Sequence, residues 1–377
     1  MNKKILLISF RLGYESLLYW DAILSNIKAK YINFRVFTAN KEQVTNDKSV
    51  KTEQKLTGLK YYHNKNKINQ SLLFIPFPFF IIDIIKYKPN VIILNEFNLA
   101  CFYTVLFKMF YSNTKILLLV ESDPNIGNNK PIKKNIKYFT RKYITNRVDK
   151  IVTNNTLGEK YLIEILGSQP SKIKTAPYLT STPKKTSKYI KTNNSLINFL
   201  YVGQLVDRKG IIYFLKALDS LEQNIKNRIV VKIVGDGVLM SFLNNYIEKN
   251  NLNFIELTGK IPFEELNHYY QQADCFVLPT LHDYRALVGF EALHFGCAII
   301  DSIYDGARFE VVEEGINGYI IDPKNSKEFT KAILNIVINN ELRESFCKKS
   351  LQKSSSFSQE KCDKNLIDTL QSIIKQN

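Results

Sequence analysis

Two carboxylates with a predicted helix start between them are the most informative chemical pattern of this 377-residue chain. Asp283 and Glu291 are eight residues apart and follow the apolar run CFVLP and a polar loop. The run predicts a short buried strand that ends at Pro279, and the residues from Ala286 onward predict a helix. Asp283 would then lie in the loop, and Glu291 would lie one and a half turns into the helix.

The start of that helix is predicted to bind an anion. The first backbone N–H groups, at Ala286, Leu287 and Val288, have no partner within a helix, and with the helix dipole they favour a diphosphate. The flanking carboxylates can accept hydrogen bonds from the hydroxyls of a ribose and a hexose. The pattern therefore predicts a site for a nucleoside diphosphate sugar.

A second pattern, YVGQLVDRKG, supplies cations for the same chemistry. A predicted strand ends at Val202, Gly203 permits a turn, and Lys209 follows near the start of the next predicted helix. A lysine there would neutralise a diphosphate leaving group, which glycosyl transfer from a nucleotide donor requires.

These patterns resemble the retaining glycosyltransferases of family 4, the large group 1 family with the GT-B fold. The blocks YVGQLVDRKGIIYFLKAL, VVKIVGDG, FIELTGKIPFEELNHYYQQADCFVLPT and GARFEVVEEGINGYIIDP follow one another in the family's order and spacing. The resemblance implies an α/β fold of two doubly wound Rossmann-like domains facing across a cleft. The donor would bind mainly the second domain and the acceptor the first, with a C-terminal helix crossing back.

The resemblance also assigns residues. It places Asp283, Glu291 and Lys209 in the catalytic positions. Donor-binding positions fall on the turn, the strand ends and the helix start, namely Gly203, Gln204, Arg208, Gly259, Arg285, Ala286, Leu287, Val288 and Glu310. Gln204 stands where the family usually has arginine, so Arg208 is the nearest substitute. Arg285 lies in a segment that usually carries glycine, and it is a candidate for contact with the pyrophosphate or an anionic sugar, or a solvated loop residue.

The N-terminal half matches the family only in outline. Gly13 is the single glycine where the family has a two-glycine loop. VESDPN stands where the family tends to place a histidine, so Glu121 or Asp123 would occupy that position. Because the family does not generally need a metal, we expect neither metal nor cofactor, and the nucleotide sugar is a substrate.

The net charge of +17 is concentrated in the first half of the chain. Residues 1–180 contain 28 Lys and Arg against 12 Asp and Glu, whereas residues 181–377 contain 24 against 23. A basic surface indicates an anionic partner, and an anionic membrane surface is the candidate. A Lys-rich bias of the whole sequence is the alternative. Nucleic acid is not expected, because no nucleic-acid-binding motif accompanies the charge.

Five cysteines without paired spacing argue for a reducing compartment. We expect a cytoplasmic location, peripherally associated with the inner face of the plasma membrane. The apolar run from Ser71 to Ile85 is broken by two prolines and is interpreted as a buried helix rather than one that dips into a membrane.

Strand and helix patterns alternate along the chain, which predicts parallel sheets covered by helices. The predicted strands of the first half are Lys4–Phe10, Asn33–Thr38, Val91–Leu94, Lys115–Val120 and Lys150–Thr153. The predicted helices are Glu15–Ala29, Phe79–Lys86, Cys101–Phe110, Lys133–Asn146 and Thr156–Leu166. The predicted domains are 1–180 and 195–355, joined by a polar linker, with residues 356–377 as a helix that returns to the first domain.

The predicted function is retaining transfer of a hexose or N-acetylhexosamine from a nucleoside diphosphate sugar, with UDP as the expected nucleotide. The expected acceptor is a growing, lipid-linked surface glycan. The alternative is a catalytically silent GT-B protein that stabilises a partner glycosyltransferase, which Gln204 and the altered glycines favour.

Overall fold

The computed structural model of this protein describes residues 3–9, 23–39, 50–63, 71–120, 131–178 and 196–375. The chain divides into two compact units. The first comprises Met1–Leu179 together with Gln359–Asn377, and the second comprises Thr180–Ser358. The predicted linker between Tyr178 and Asn194 lies almost wholly outside the described residues.

The described part of the first unit contains nine strands: β1 (Lys4–Ser9), β2 (Asn33–Thr38), β3 (Lys51–Gln54), β4 (Gly58–His63), β5 (Ser71–Pro76), β6 (Val91–Asn95), β7 (Lys115–Val120), β8 (Lys150–Thr153) and β9 (Ile173–Thr175). Seven form a parallel sheet in the order β3-β2-β1-β6-β7-β8-β9. Apolar runs such as KILLLV in β7 are buried almost throughout, as expected for strands covered on both faces.

The helices of this unit are α1 (helical residues 23–30), α2 (Phe80–Tyr87), α3 (Leu99–Leu106), α4 (Pro131–Arg147) and α5 (Thr156–Lys160). A 3₁₀ turn (Lys108–Tyr111) follows α3, and a π-helical turn (Tyr161–Ile165) follows α5. The five predicted strands match observed strands within one residue at each end. The predicted helix Glu15–Ala29 falls partly outside the described residues.

The interpretation of residues 71–85 as one buried helix is wrong. Ser71–Pro76 is strand β5, which pairs antiparallel with β4, and only Phe80–Tyr87 is helical. Pro76 and Pro78 separate the two elements, because proline cannot continue the helical hydrogen bonding. Strands β3 and β4 were not predicted either, since their sequences KTEQ and GLKYYH lack the continuous apolar runs of the central strands.

The second unit is a six-stranded parallel sheet. Its strands are β10 (Ile197–Val202), β11 (Ile229–Val234), β12 (Ile255–Gly259), β13 (Cys275–Leu278), β14 (Ala298–Ser302) and β15 (Gly318–Ile321). Their order is β12-β11-β10-β13-β14-β15. The helices between and after them are α6 (Ile211–Asp219), α7 (Gln223–Lys226), α8 (Met240–Lys249), α9 (Phe263–Gln272), α10 (Leu287–His294), α11 (Arg308–Val311), α12 (Ser326–Ile338) and α13 (Asn340–Ser354).

The last helix, α14 (Gln359–Lys375), packs on the first unit, as the resemblance implies. Asn365 donates from its side chain to Pro177 O (2.8 Å), and Asp363 accepts from Asn26 (2.5 Å). The apolar face of the helix, which includes Leu366, Leu370 and Ile373, is buried. In the described part of the chain no helix is long and apolar enough to cross a membrane.

Candidate active site

The strand order of the second unit reverses between β10 and β13, which are neighbours in the sheet. In open parallel sheets the ligand crevice lies at the carboxyl ends of the strands at such a reversal. The segment after β10 carries Arg208 and Lys209, and the segment after β13 carries Asp283. The topology alone therefore brings the two predicted halves of the donor site to one place.

Hydrogen bonds hold these two segments together. Leu281 N donates to Arg208 O (2.8 Å), and the Thr280 hydroxyl donates to the same oxygen (3.2 Å). Arg208 Nη1 in turn donates to His282 O (2.9 Å). Gly210 closes the turn with a φ of +67°, and a Cβ there would lie 1.8 Å from Pro279 O. Only glycine fits both demands, so Lys209 is fixed directly before α6.

Lys209 and Asp283 contact each other although they are 74 residues apart in sequence. The ammonium group of Lys209 donates to Asp283 Oδ2, and both side chains are mostly buried (13% and 15% exposed). Arg208 Nη1 lies 3.4 Å from the same oxygen, with its side chain 42% exposed. Lys209 and Arg208 thus place two positive charges beside the single negative charge of Asp283. Positive charge therefore remains to attract a phosphate.

Helix α10 begins where the sequence predicts it, with Ala286 as the N-cap residue and Leu287 as the first helical residue. The Ala286 N–H donates to Asp305 Oδ1 (3.1 Å), so a phosphate would have to replace this carboxylate oxygen to bind there, and the phosphate contact of Ala286 stays a prediction. No acceptor among the described residues receives the Leu287 or Val288 N–H groups. These two N–H groups keep the geometry of an anion site.

Arg285 is a buried residue rather than a solvated loop residue, and its contact with the pyrophosphate stays a prediction. Its Nε and Nη2 atoms each lie 3.1 Å from a carboxylate oxygen of Glu310, and the two side chains are 2% and 11% exposed. The guanidinium carbon also lies 4.0 Å from the centre of the Phe290 ring. Arg285 and Glu310 therefore form a buried bidentate pair that ties the loop before α10 to α11.

Glu291 is the fifth residue of α10 and is only 4% exposed. Its Oε2 accepts a hydrogen bond from the Tyr270 hydroxyl (2.7 Å). The carboxylate is therefore held in one orientation from behind. The ribose contact of Glu291 stays a prediction.

Sequence reasoning missed two buried acids in this region, Asp301 at the end of β14 and Asp305 in the loop after it. Both are 0% exposed, and one oxygen of each has no hydrogen-bond partner. Burial, followed by the charge of Asp283, raises the pKa of Asp305 to about 7. Burial and Asp305 raise the pKa of Asp301 well above its usual range. The sequence signal that could have revealed Asp301 is an aspartate at the end of the otherwise apolar run AIID.

The remaining donor-binding predictions fall on two strand ends. Gly203 follows β10, and its carbonyl lies so close to Gly235 that a Cβ there would approach to 1.9 Å. Gln204 O accepts from the Tyr201 hydroxyl (2.9 Å). Gly259 ends β12 with a φ of +76° and has open space around its missing Cβ. The base and phosphate contacts at these positions stay predictions.

Three predicted residues of the first unit, Gly13, Glu121 and Asp123, lie outside the described residues. Their roles stay predictions. Across the described ranges, no group of three or more His, Cys, Asp or Glu side chains could hold a metal ion.

Comparison with known proteins bears on the same region. Residues 184–353 match the family model described as glycosyl transferases group 1. An uncharacterized glycosyltransferase of Methanocaldococcus jannaschii is 29% identical over 227 residues, which is 60% of each chain. An alpha-1,4-N-acetyl-D-galactosaminyltransferase of Campylobacter jejuni, whose full name includes diNAcBac-PP-undecaprenol, is 26% identical over 143 residues, 38% of each chain. The matched stretches thus span less than two thirds of either relative.

Among solved structures, Anabaena HepE in complex with UDP superposes with a TM-score of 0.72 at 14% identity, covering 98% of this chain and all of HepE. At that identity the likeness shows the fold, which is the GT-B fold of two Rossmann-like domains with a C-terminal helix. The match of residues 184–353 to the group 1 model lies in the second unit and confirms the resemblance found in the sequence. Assignment to family 4 is compatible with these matches and stays a prediction.

Proposed function

We propose that this protein is a retaining, metal-independent glycosyltransferase. It moves a hexose or N-acetylhexosamine from a nucleoside diphosphate sugar, expected to be a UDP-sugar, to a glycan in surface polysaccharide biosynthesis. The observation that carries the proposal is the contact between Lys209 and Asp283 at the strand-order reversal of the second unit. It lies inside the stretch that matches the glycosyltransferase family.

The proposed chemistry uses the protein mainly for position and charge. Lys209, Arg208 and the Leu287 and Val288 N–H groups stabilise the negative charge that develops on the leaving diphosphate. The bond between the anomeric carbon and the phosphate oxygen breaks while the acceptor oxygen bonds to the same face of the sugar. The acceptor proton passes to the leaving phosphate oxygen. Asp283 supports the positive charge that develops at the anomeric carbon.

Three observations support the choice of donor and acceptor. The HepE structure contains UDP, and a relative has a PP-undecaprenol group in its name. The excess of basic residues in positions 1–180 suits association with an anionic membrane, where a lipid-linked acceptor would lie. We therefore propose a lipid-linked glycan acceptor and peripheral membrane association.

The test is to incubate the purified protein with a panel of radiolabelled sugar nucleotides, with and without lipid-linked glycans. Release of free sugar and transfer to acceptor are measured, and NMR of the product gives the anomeric configuration. The proposal expects transfer with retained configuration. An inverted product would contradict the retaining mechanism, whereas UDP binding without hydrolysis or transfer would favour the catalytically silent alternative.

A matched pair of lysine variants sharpens this test. Lys209→Met should abolish most transfer, whereas Lys216→Met should not, because Lys216 is an exposed residue of the following helix α6. Equal activities of the two variants would contradict the assignment of Lys209 to the diphosphate.

A further inference from the structure

A polar cavity of about 500 Å³ lies in the first unit, lined by residues of β1, β2, β3 and α2 and by Lys55. The cavity runs along one side of β2 and β3 beside α2, from Lys4 and Asn33 at the amino ends of their strands to Lys55, which directly follows β3. Ligand crevices of open parallel sheets lie at the carboxyl ends of the strands where the strand order reverses, which in this sheet is between β1 and β6. The cavity lies over β2 and β3 instead, to one side of that reversal.

The lining of this cavity, called the β2–β3 cavity below, is strongly basic. Among its described lining residues are five cations and two carboxylates, namely Lys4, Arg35, Lys51, Lys55 and Lys86 with Glu53 and Asp83. Arg35, Lys51 and Lys55 all lie within 3.8 Å of Glu53, and Lys55 also reaches Asp83 (3.3 Å). Two carboxylates cannot balance five cations, so the lining keeps a net charge of +3.

The cavity is open to solvent, since the side chains of Arg35, Lys51 and Lys55 are 36%, 61% and 34% exposed. Tyr87 of α2 holds two of the cations in place. Its backbone oxygen accepts from Lys4 (3.1 Å), and the Arg35 guanidinium carbon lies 4.4 Å from its ring centre. Lys4 and Arg35 are thus held beside the cavity before any ligand arrives.

We infer that the β2–β3 cavity binds a phosphate-bearing anion. Its volume lies within the range of about 300–1,000 Å³ typical of small-molecule sites. Arginine and lysine are the side chains that recognise phosphate oxygens, the former through its planar fork and the latter as a point charge. A dianion would reduce the net charge of the lining from +3 to +1.

The inference is independent of the proposed glycosyl transfer, and the experiment separates the two sites. Isothermal titration calorimetry measures inorganic pyrophosphate binding to the full chain carrying Lys209→Met, which removes the diphosphate cation of the second unit. Binding should remain in this variant. Failure of pyrophosphate to bind would overturn the inference.

Two variants of neighbouring lysines locate the remaining site. Lys86 lines the cavity and is exposed, whereas Lys88, two residues further along the chain, is exposed and does not line it. Added to Lys209→Met, Lys86→Glu should weaken pyrophosphate binding about tenfold or more, and Lys88→Glu about twofold at most, because the Coulomb energy of a pair falls with distance. Equal weakening by both variants would mean a diffuse field rather than this cavity, and would overturn the inference.

Vesicles distinguish the two sources of a phosphate group. If the natural ligand is a lipid head group, pyrophosphate should displace the protein from phosphatidylglycerol vesicles, and Lys86→Glu should release it more than Lys88→Glu does. If the ligand is a free phosphorylated molecule, pyrophosphate should bind at the cavity without displacing the protein. Either result supports the inference. The inference would be overturned by an absence of pyrophosphate binding, or by equal weakening in the Lys86→Glu and Lys88→Glu variants.

Discussion

Replacement of Arg285 by methionine tests whether the buried pair with Glu310 is structural or binds the donor. The two side chains are 2% and 11% exposed and share two contacts of 3.1 Å. Removing one partner of such a pair leaves a buried charge uncompensated, which costs about 3–5 kcal/mol. We therefore expect Arg285→Met to lower the free energy of unfolding of the second unit by this amount.

The double variant Arg285→Met/Glu310→Leu should recover most of that loss. It removes both charges, and replacing a buried ion pair by apolar residues of similar size is often close to neutral. The coupling energy of the two substitutions should therefore be at least as large as the loss caused by Arg285→Met alone. Lys226→Met is the control, because the Lys226 ammonium group lies 3.7 Å from a carboxylate that is 31% exposed, that of Asp219, and its closer contact (2.7 Å) is with the Asp219 backbone oxygen. Its loss should be about 1 kcal/mol or less.

Urea unfolding followed by circular dichroism measures these energies, and hydrogen exchange in α10 and β14 assigns the loss to the second unit. One outcome would refute this reasoning. If Arg285→Met left the free energy of unfolding unchanged and raised the KM for a sugar nucleotide more than tenfold, Arg285 would bind the donor, as the sequence alone suggested.

Four further predictions follow from the site and the charge distribution. Glu291→Gln and Lys209→Met should each lower kcat/KM about a hundred- to thousandfold, equivalent to about 2.7–4 kcal/mol, and unimpaired turnover in a folded variant would remove that residue from the site. Turnover should survive EDTA, and loss that manganese restores would direct attention to Glu121 and Asp123. Burial raises the pKa of Asp305 from 3.8 to about 7, so between these pH values the folded state keeps a proton that the unfolded state releases. The free energy of unfolding should therefore fall between about pH 4 and 7, by at most about 4 kcal/mol. Asp305→Asn keeps an acceptor for the Ala286 N–H and should flatten that fall in thermal melts, whereas an unchanged pH profile would contradict the raised pKa. The full chain should sediment with anionic vesicles and be released as salt rises, and equal binding to neutral vesicles would point to exposed apolar residues such as Phe79 and Ile82 instead.

The sequence by itself determined several local elements of the second unit. The run CFVL predicted strand β13, and the start of α10 was placed within one residue at Leu287. Lys209 lies directly before Gly210 and α6, as its spacing predicted. These features are local, because hydrophobic periodicity and turn residues report on neighbours within one element. The same holds for the five predicted strands of the first unit.

Only the tertiary structure decided which side chains meet. The strand order brings Asp305 to the Ala286 N–H and Arg285 to Glu310, residues that are 19 and 25 positions apart in sequence, and no local pattern encodes either partner. The same limit explains the wrong helix prediction at residues 71–76. Their apolar composition suits a helix or a strand, and only the antiparallel pairing with β4 makes them a strand. An arginine that looked available for phosphate is therefore enclosed by an acid and a ring. Its availability depends on burial and pairing, which arise only when distant segments pack together.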